Sequence, residues 1–213
     1  MAVYLGIIKA YEGLGPNIRL TPQGKLIFPY QCKADAPRKD GTHPWTCGYG
    51  HFMSIKEERD GVQLGSKPIN VMRDGLTEDQ CDQLLNQDVA KRLAVVKAAL
   101  PGQNDLVIGA FLDCVLNAGE ECLHSSPGLA IIRGDLSFAA ERLLLYRNAG
   151  GHPVRGLWRR RLTDSIFMLS GEIITSKDSV PKNKLLMSAS EQVATKRLST
   201  LLGKPILLPP GMS

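Results

Sequence analysis

Three features of the sequence predict an α+β fold in two lobes, with a cleft where the lobes meet. A short amphipathic helix opens the chain. A stretch rich in Gly, Pro and Thr, with brief apolar runs, follows it. Helical periodicities then continue to about residue 170. A β-rich segment inserted between a first helix and a helical body makes a small sheet lobe beside a larger helical one, and ligand sites favour such junctions.

The elements follow in order. Tyr4, Ile7, Ile8, Tyr11 and Leu14 recur at helical spacing, which predicts a helix over residues 3–12, stopped by Gly13 and Gly15-Pro16. Residues 16–52 read as two or three short strands, with apolar runs at Lys25–Phe28 and Trp45–Tyr49. Residues 53–75 are polar and read as irregular. Thr77-Glu78-Asp79-Gln80 is a capping box. Behind it Cys81, Leu84, Leu85, Asp88, Val89, Arg92, Leu93 and Val96 share one face of a helix that runs to Pro101. Val107 to Ala118 form a second buried helix, and Ser126-Pro127 opens a short one with proline in its first turn. Ser137 is expected to cap a helix to about Tyr146, and Gly156–Leu169 is the next, with Arg159-Arg160-Arg161 in its first turns. Beyond it Val193, Ala194, Leu198 and Leu201 mark one face of an amphipathic helix ended by Gly203, before a proline-bounded tail. The expected organisation is a domain over 1–170, with its β-rich lobe at 13–52, and an extension over 171–213 that packs on this body or docks on a partner.

Bulk properties narrow the function classes. With 213 residues, 43 % hydrophobic and 22 % charged, the chain is of ordinary globular composition. No apolar run approaches the ~18 residues of a membrane helix, and the start lacks the basic region of a signal peptide. Folding in the cytoplasm is therefore expected unless something else carries the chain out. Five cysteines (32, 47, 81, 114, 122) without CxxC spacing point to no metal site and no disulfide framework. Net charge is +5, of which six Lys/Arg and three acids in 171–213 supply +3. A mildly basic surface suits an anionic polymer without choosing between nucleic acid and cell wall.

The stretch that carries chemistry is Trp45-Thr46-Cys47-Gly48-Tyr49-Gly50-His51. Thr46 and Tyr49 suit a half-buried strand, and the two glycines allow a sharp turn or the close approach of another group. Alone it reads first as a glycine-kinked hairpin strand with a structural histidine. Upstream, Glu12 ends the first helix beside Tyr11 and Leu14. A glutamate at a helix end, partly desolvated by such neighbours, suits a general acid that keeps its proton near neutral pH. Asp88, a carboxylate on an otherwise apolar helical face, calls for a partner.

Over residues 4–170 the sequence resembles the phage-type lysozymes, the muramidase endolysins of tailed phages. The resemblance rests on Ile8–Leu14, Tyr30-Gln31-Cys32, Trp45–His51, Leu84–Val89, Ala110-Phe111 with Asn117-Ala118-Gly119, Asn148–Gly151 and Gly156–Arg161, in the family's order. It implies a lysozyme-like fold, with Glu12 as catalytic acid, Thr46 as catalytic threonine, and Cys32 at a position where the family carries Asp or Cys. It also implies substrate binding by Tyr49 and Asn117, a structural ion pair between His51 and Asp88, and one of Arg159, Arg160 or Arg161 near Glu12, the others forming a solvated charge run. Two departures stand out. Glu12 and Cys32 are twenty residues apart, roughly twice the family's gap, so residues 15–28 look like an insertion, and Lys33–Gly41 lengthens the following turn. Asp35 and Asp40 are therefore alternatives to Cys32.

The implied activity is general-acid cleavage of the β-1,4 bond between N-acetylmuramic acid and N-acetylglucosamine in peptidoglycan, for lysis of the host. The implied protein is a monomer without cofactor or metal that does not bind nucleic acid. It is held in the host cytoplasm before lysis. The rival expectations are a lytic transglycosylase and a virion-associated tail or baseplate lysozyme or structural component, with tail proteins as partners of residues 171–213.

Overall fold

The computed structural model describes residues 2–31, 37–149, 151–175, 187–206 and 208–209, with side chains from Leu5 onward. The chain forms two compact units, one of residues 8–91 and one of residues 1–7 with 92–213.

The first unit begins within helix α1 (Ala2–Glu12). Gly13, at φ +66°, ends this helix where a side chain would be strained. Strands β1 (Ile18–Thr21) and β2 (Gly24–Ile27) pair as an antiparallel hairpin with Ile18 opposite Ile27. A three-stranded antiparallel sheet follows, with β4 (Trp45–Cys47) between β3 (Tyr30–Gln31) and β5 (His51–Phe52). Its register sets Thr46 opposite both Tyr30 and Phe52, and Cys47 opposite His51.

Residues 53–75 are regular rather than irregular. They form α2 (Ile55–Asp60), the hairpin of β6 (Val62–Leu64) and β7 (Lys67–Ile69), and α3 (Val71–Asp74). The six-residue α2 buries nothing, so it leaves no apolar stripe to read, and a Ser54–Glu57 capping box holds its start. In β6, Val62 and Leu64 are buried and Gln63 is exposed, a period-two pattern too short to stand out among charges. The long helix α4 (Glu78–Ala99) starts at the Thr77–Gln80 box, with Thr77 N–H donating to Gln80 (2.9 Å) and Gln80 N–H donating to Thr77 Oγ1 (3.2 Å). The core of this unit gathers Ile27, Cys47, Met53, Val62, Leu64, Val71, Leu76, Cys81 and Leu84. Burial pushes the Cys47 and Cys81 thiols up to about 12, which makes them unreactive packing groups.

The second unit is helical. Asn104 caps α5 (Asp105–Ala118), whose Val107–Val115 are all buried. Helices α6 (Glu121–His124), α7 (Ser126–Ile132) and α8 (Leu136–Leu143) follow. Asp135 rather than Ser137 caps α8, its carboxylate accepting from Phe138 N–H at 2.9 Å, and the helix ends at Leu143. The hairpin of β8 (Asn148–Ala149) and β9 (His152–Pro153) leads into α9 (Arg155–Ser170). Helix α10 (Ala189–Leu202) has a Ser188–Glu191 capping box at its start and Gly203 in the left-handed conformation at its end.

The arginine run does not form a solvated face. Helices α5, α8 and α10 all pack on α9, and Arg159, Arg160 and Arg161 are buried. Each meets a carboxylate, as buried charges must. Arg160 grips Asp113 with Nε at 2.7 Å and Nη2 at 2.8 Å, and Arg161 reaches Asp113 at 3.0 Å and Asp164 at 3.2 Å. Burial works against the charge of Asp113, yet Arg160 and Arg161 hold it ionised below its ordinary range; Asp164 is pushed well above its own by burial. Arg159 Nε and Arg155 Nε each lie 2.6 Å from Oε1 of Glu191 on α10, a wholly buried side chain.

Helix α10 thus packs on the helical body. Ala194 and Leu198 join Leu144, Trp158, Leu162 and Ile166 in one core cluster, with Leu201, Ile206 and Leu208 against it. Val193, expected on that face, is 58 % exposed. The inward row is set by Glu191, Ala194 and Leu198 at helical spacing, so the apolar residue beside it points outward.

Candidate active site

Glu12 closes α1 and is half-buried. The turn Gly48-Tyr49-Gly50 joins β4 to β5, with both glycines at positive φ (56° and 84°). A Cβ on Gly50 would lie 2.9 Å from Oε2 of Glu12, so the carboxylate rests on bare backbone. A Cβ on Gly48 would come within 3.4 Å of the Cys81 side chain, which is how the turn lies close against α4.

Thr46 stands in the central strand two residues before this turn. It is 6 % exposed, and its Oγ1 hydrogen-bonds no group among the described residues. A buried hydroxyl so placed calls for a hydrogen-bond partner beyond those residues. Tyr49 packs its ring on the core of the unit. Burial, helped by the charge of Asp82, pushes its phenol up to about 12.

The expected bond between His51 and Asp88 is present, with Nδ1 to Oδ2 at 2.7 Å. A second carboxylate, not evident from the sequence, also meets the ring. Nε2 of His51 lies 3.2 Å from Oε1 of Glu57 on α2, so both ring nitrogens face acids, the arrangement of a doubly donating imidazolium. Burial opposes the charged ring, but the Asp88 and Glu57 bonds outweigh it and raise the pKa of His51. Burial likewise opposes Glu57, and the Ser54 bonds together with His51 lower it overall. The available signal for Glu57 was its place three residues after Ser54.

The other candidates scatter. Cys32 and Asp35 lie outside the described residues. Asp40 is exposed, and its Oδ1 accepts from Thr42 N–H (2.9 Å) and Oγ1 (2.7 Å), bonds that lower its pKa and tie it into a surface turn. Arg38 anchors this loop by donating to the Met53 carbonyl at 2.9 Å and to both oxygens of Glu58, a role with no signal in local spacing. Asn117 is exposed in the last turn of α5, in the helical unit. Glu12, Thr46, Tyr49, His51 and Asp88 all belong to the sheet-bearing unit.

A small sheet-bearing unit and a larger helical one, arranged along the chain in this order, define a lysozyme-like fold, and solved structures bear this out. The chain resembles an endolysin from Escherichia coli O157:H7 phage FAHEc1 (TM-score 0.56, 21 % identity, 81 % of this chain and 94 % of that one). It is similar to the active form of the P1 phage endolysin Lyz (0.54, 17 %, 84 % and 88 %). It also resembles the muramidase domain of SpmX from Asticaccaulis excentricus (0.54, 19 %, 80 % and 97 %). No curated protein sequence matches the chain.

Residues 30–164 match the phage lysozyme family, and the chain belongs to it. It is a glycoside hydrolase of the muramidase type, with peptidoglycan as its substrate. The match begins at Tyr30, so α1 with Glu12 and the β1–β2 hairpin precede it, and α10 follows it.

Proposed function

We propose that the protein cleaves the β-1,4 bond between N-acetylmuramic acid and N-acetylglucosamine by hydrolysis, with Glu12 as the general acid. The observation that carries this reading is the Glu12 carboxylate seated on Gly50, beside the strand pair that presents the buried Thr46 hydroxyl, which no group among the described residues hydrogen-bonds. Glu12 donates a proton to the leaving glycosidic oxygen as positive charge builds on the sugar ring. Thr46 Oγ1 accepts from the attacking water and orients it. Cys32 shares this second role; a thiol with a pKa of about 8.5 is a weak base at neutral pH, so it orients the water more than it deprotonates it. Attack from the face opposite the leaving group inverts the anomeric centre. Tyr49 and Asn117 hold the sugars.

In the biology this supports, the enzyme accumulates in the host cytoplasm and reaches the wall at lysis. Among the described residues no helix is long and apolar enough to cross a membrane. Digestion of purified peptidoglycan, with mass analysis of the fragments, tests the chemistry. Hydrolysis yields fragments ending in reducing N-acetylmuramic acid, one water heavier than the anhydro ends of a transglycosylase. Anhydro products would overturn the role given to the water.

A further inference from the structure

Lys9 lies one helical turn before Glu12 on α1, so the two side chains are neighbours on the helix surface. Its ammonium meets groups from two other segments. Nζ is 2.6 Å from Oδ1 of Asp82 on α4 and 5.3 Å from the centre of the Tyr49 ring. Tyr49 in turn stands between the two glycines, the second of which carries the Glu12 carboxylate. One cation therefore ties together the three segments that build this corner of the unit. The Lys9 and Asp82 side chains are 34 % and 40 % exposed, and pairs at that depth add little to global stability. Their effect is local, on where the last turn of α1 is held.

We propose that Lys9 is a positioning residue for the general acid. By bridging Asp82 and the Tyr49 ring it fixes the end of α1 against the Gly48–Gly50 turn, and with it the seat of the Glu12 carboxylate on Gly50. The inference rests on Glu12 being the acid. A carboxylate allowed to drift slows proton transfer without weakening the grip on the sugars, and a misplacement of about 1 Å costs on the order of 100-fold in rate. Loosening one tether of several should cost less, about tenfold.

The test is kcat and KM on glycan strands freed of stem peptides, for Lys9→Met, Lys9→Arg and Asp82→Asn, with Glu12→Gln run alongside. Lys9→Met keeps the apolar stem and loses the charge; it is expected to lower kcat about tenfold with KM within about twofold. Lys9→Arg restores most of the loss, because a cation again spans Asp82 and the ring. Asp82→Asn lowers kcat by a lesser factor, again at unchanged KM. A wild-type kcat in Lys9→Met, or a raised KM at unchanged kcat, overturns the inference. If Glu12→Gln is inactive in that case, the inference alone fails. If Glu12→Gln stays active, the assignment of the acid fails and the inference falls with it.

Discussion

Replacing Glu191 by glutamine keeps the shape of a wholly buried side chain and removes its charge from between Arg155 and Arg159. The cost can be worked in two ways. Burial works against the carboxylate, yet the Arg155, Arg159 and Ser188 bonds hold its pKa down at about 2, from an ordinary 4.5. At about 1.4 kcal/mol per pKa unit, that preference is worth about 3 kcal/mol. Removing one partner of a buried pair independently costs about 3–5 kcal/mol. Because the folded pKa is depressed, the contribution is complete above the unfolded value of 4.5 and is lost as pH falls through the folded value near 2. Urea unfolding of wild type and Glu191→Gln should differ by about 3 kcal/mol at pH 7 and by roughly half of that or less at pH 3. A difference below about 1 kcal/mol at pH 7, or one that does not shrink in acid, would refute the reasoning that α10 is clamped to α9 by charge.

The remaining predictions concern the sheet-bearing unit. The His51 bridge should contribute most between about pH 4.5 and 6.5: the raised His51 loses its share as pH rises through its folded pKa, and the lowered Glu57 loses its share as pH falls through its own. His51→Asn should cost about 2 kcal/mol there, between the values for surface and buried pairs, and a double-mutant cycle with Asp88→Asn that shows no coupling contradicts it. Gly50→Ala meets a positive φ, a strain of about 1–2 kcal/mol, and displaces the Glu12 carboxylate, so activity should fall at least about tenfold while the protein stays folded; unchanged activity would separate Gly50 from the acid. Cys32→Asp should remain active and Cys32→Ala should be impaired, and full activity of the alanine variant in a turbidity assay would transfer the second role to Asp35 or to no side chain.

Long elements were legible in the sequence because periodicity accumulates with length. The apolar stripe of α4 and the buried run of α5 were readable from spacing alone, as was the Thr77–Gln80 box. Short elements were not: α2 buries no residue, and each strand of the β6–β7 hairpin has only three positions. The arginine run was misread because charge signals solvent only where no carboxylate is near, and Asp113 and Glu191 lie 47 and 32 positions from their arginines. At the site, the helix-end Glu12 and the glycine-flanked turn could be seen as separate signals. Their contact could not, since nothing in local spacing records which glycine a distant carboxylate will rest on. The third member of the His51 bridge was hidden for a related reason, because Glu57 already had a sufficient local explanation as a helix cap.

The most direct test of the account is the rate of peptidoglycan hydrolysis by Glu12→Gln, measured with its unfolding midpoint. An amide in place of the acid cannot donate the proton, so kcat/KM should drop by about 10²–10⁴-fold while the midpoint stays close to wild type. A variant that folds normally and keeps more than about a tenth of wild-type activity would contradict the assignment of Glu12 as the general acid.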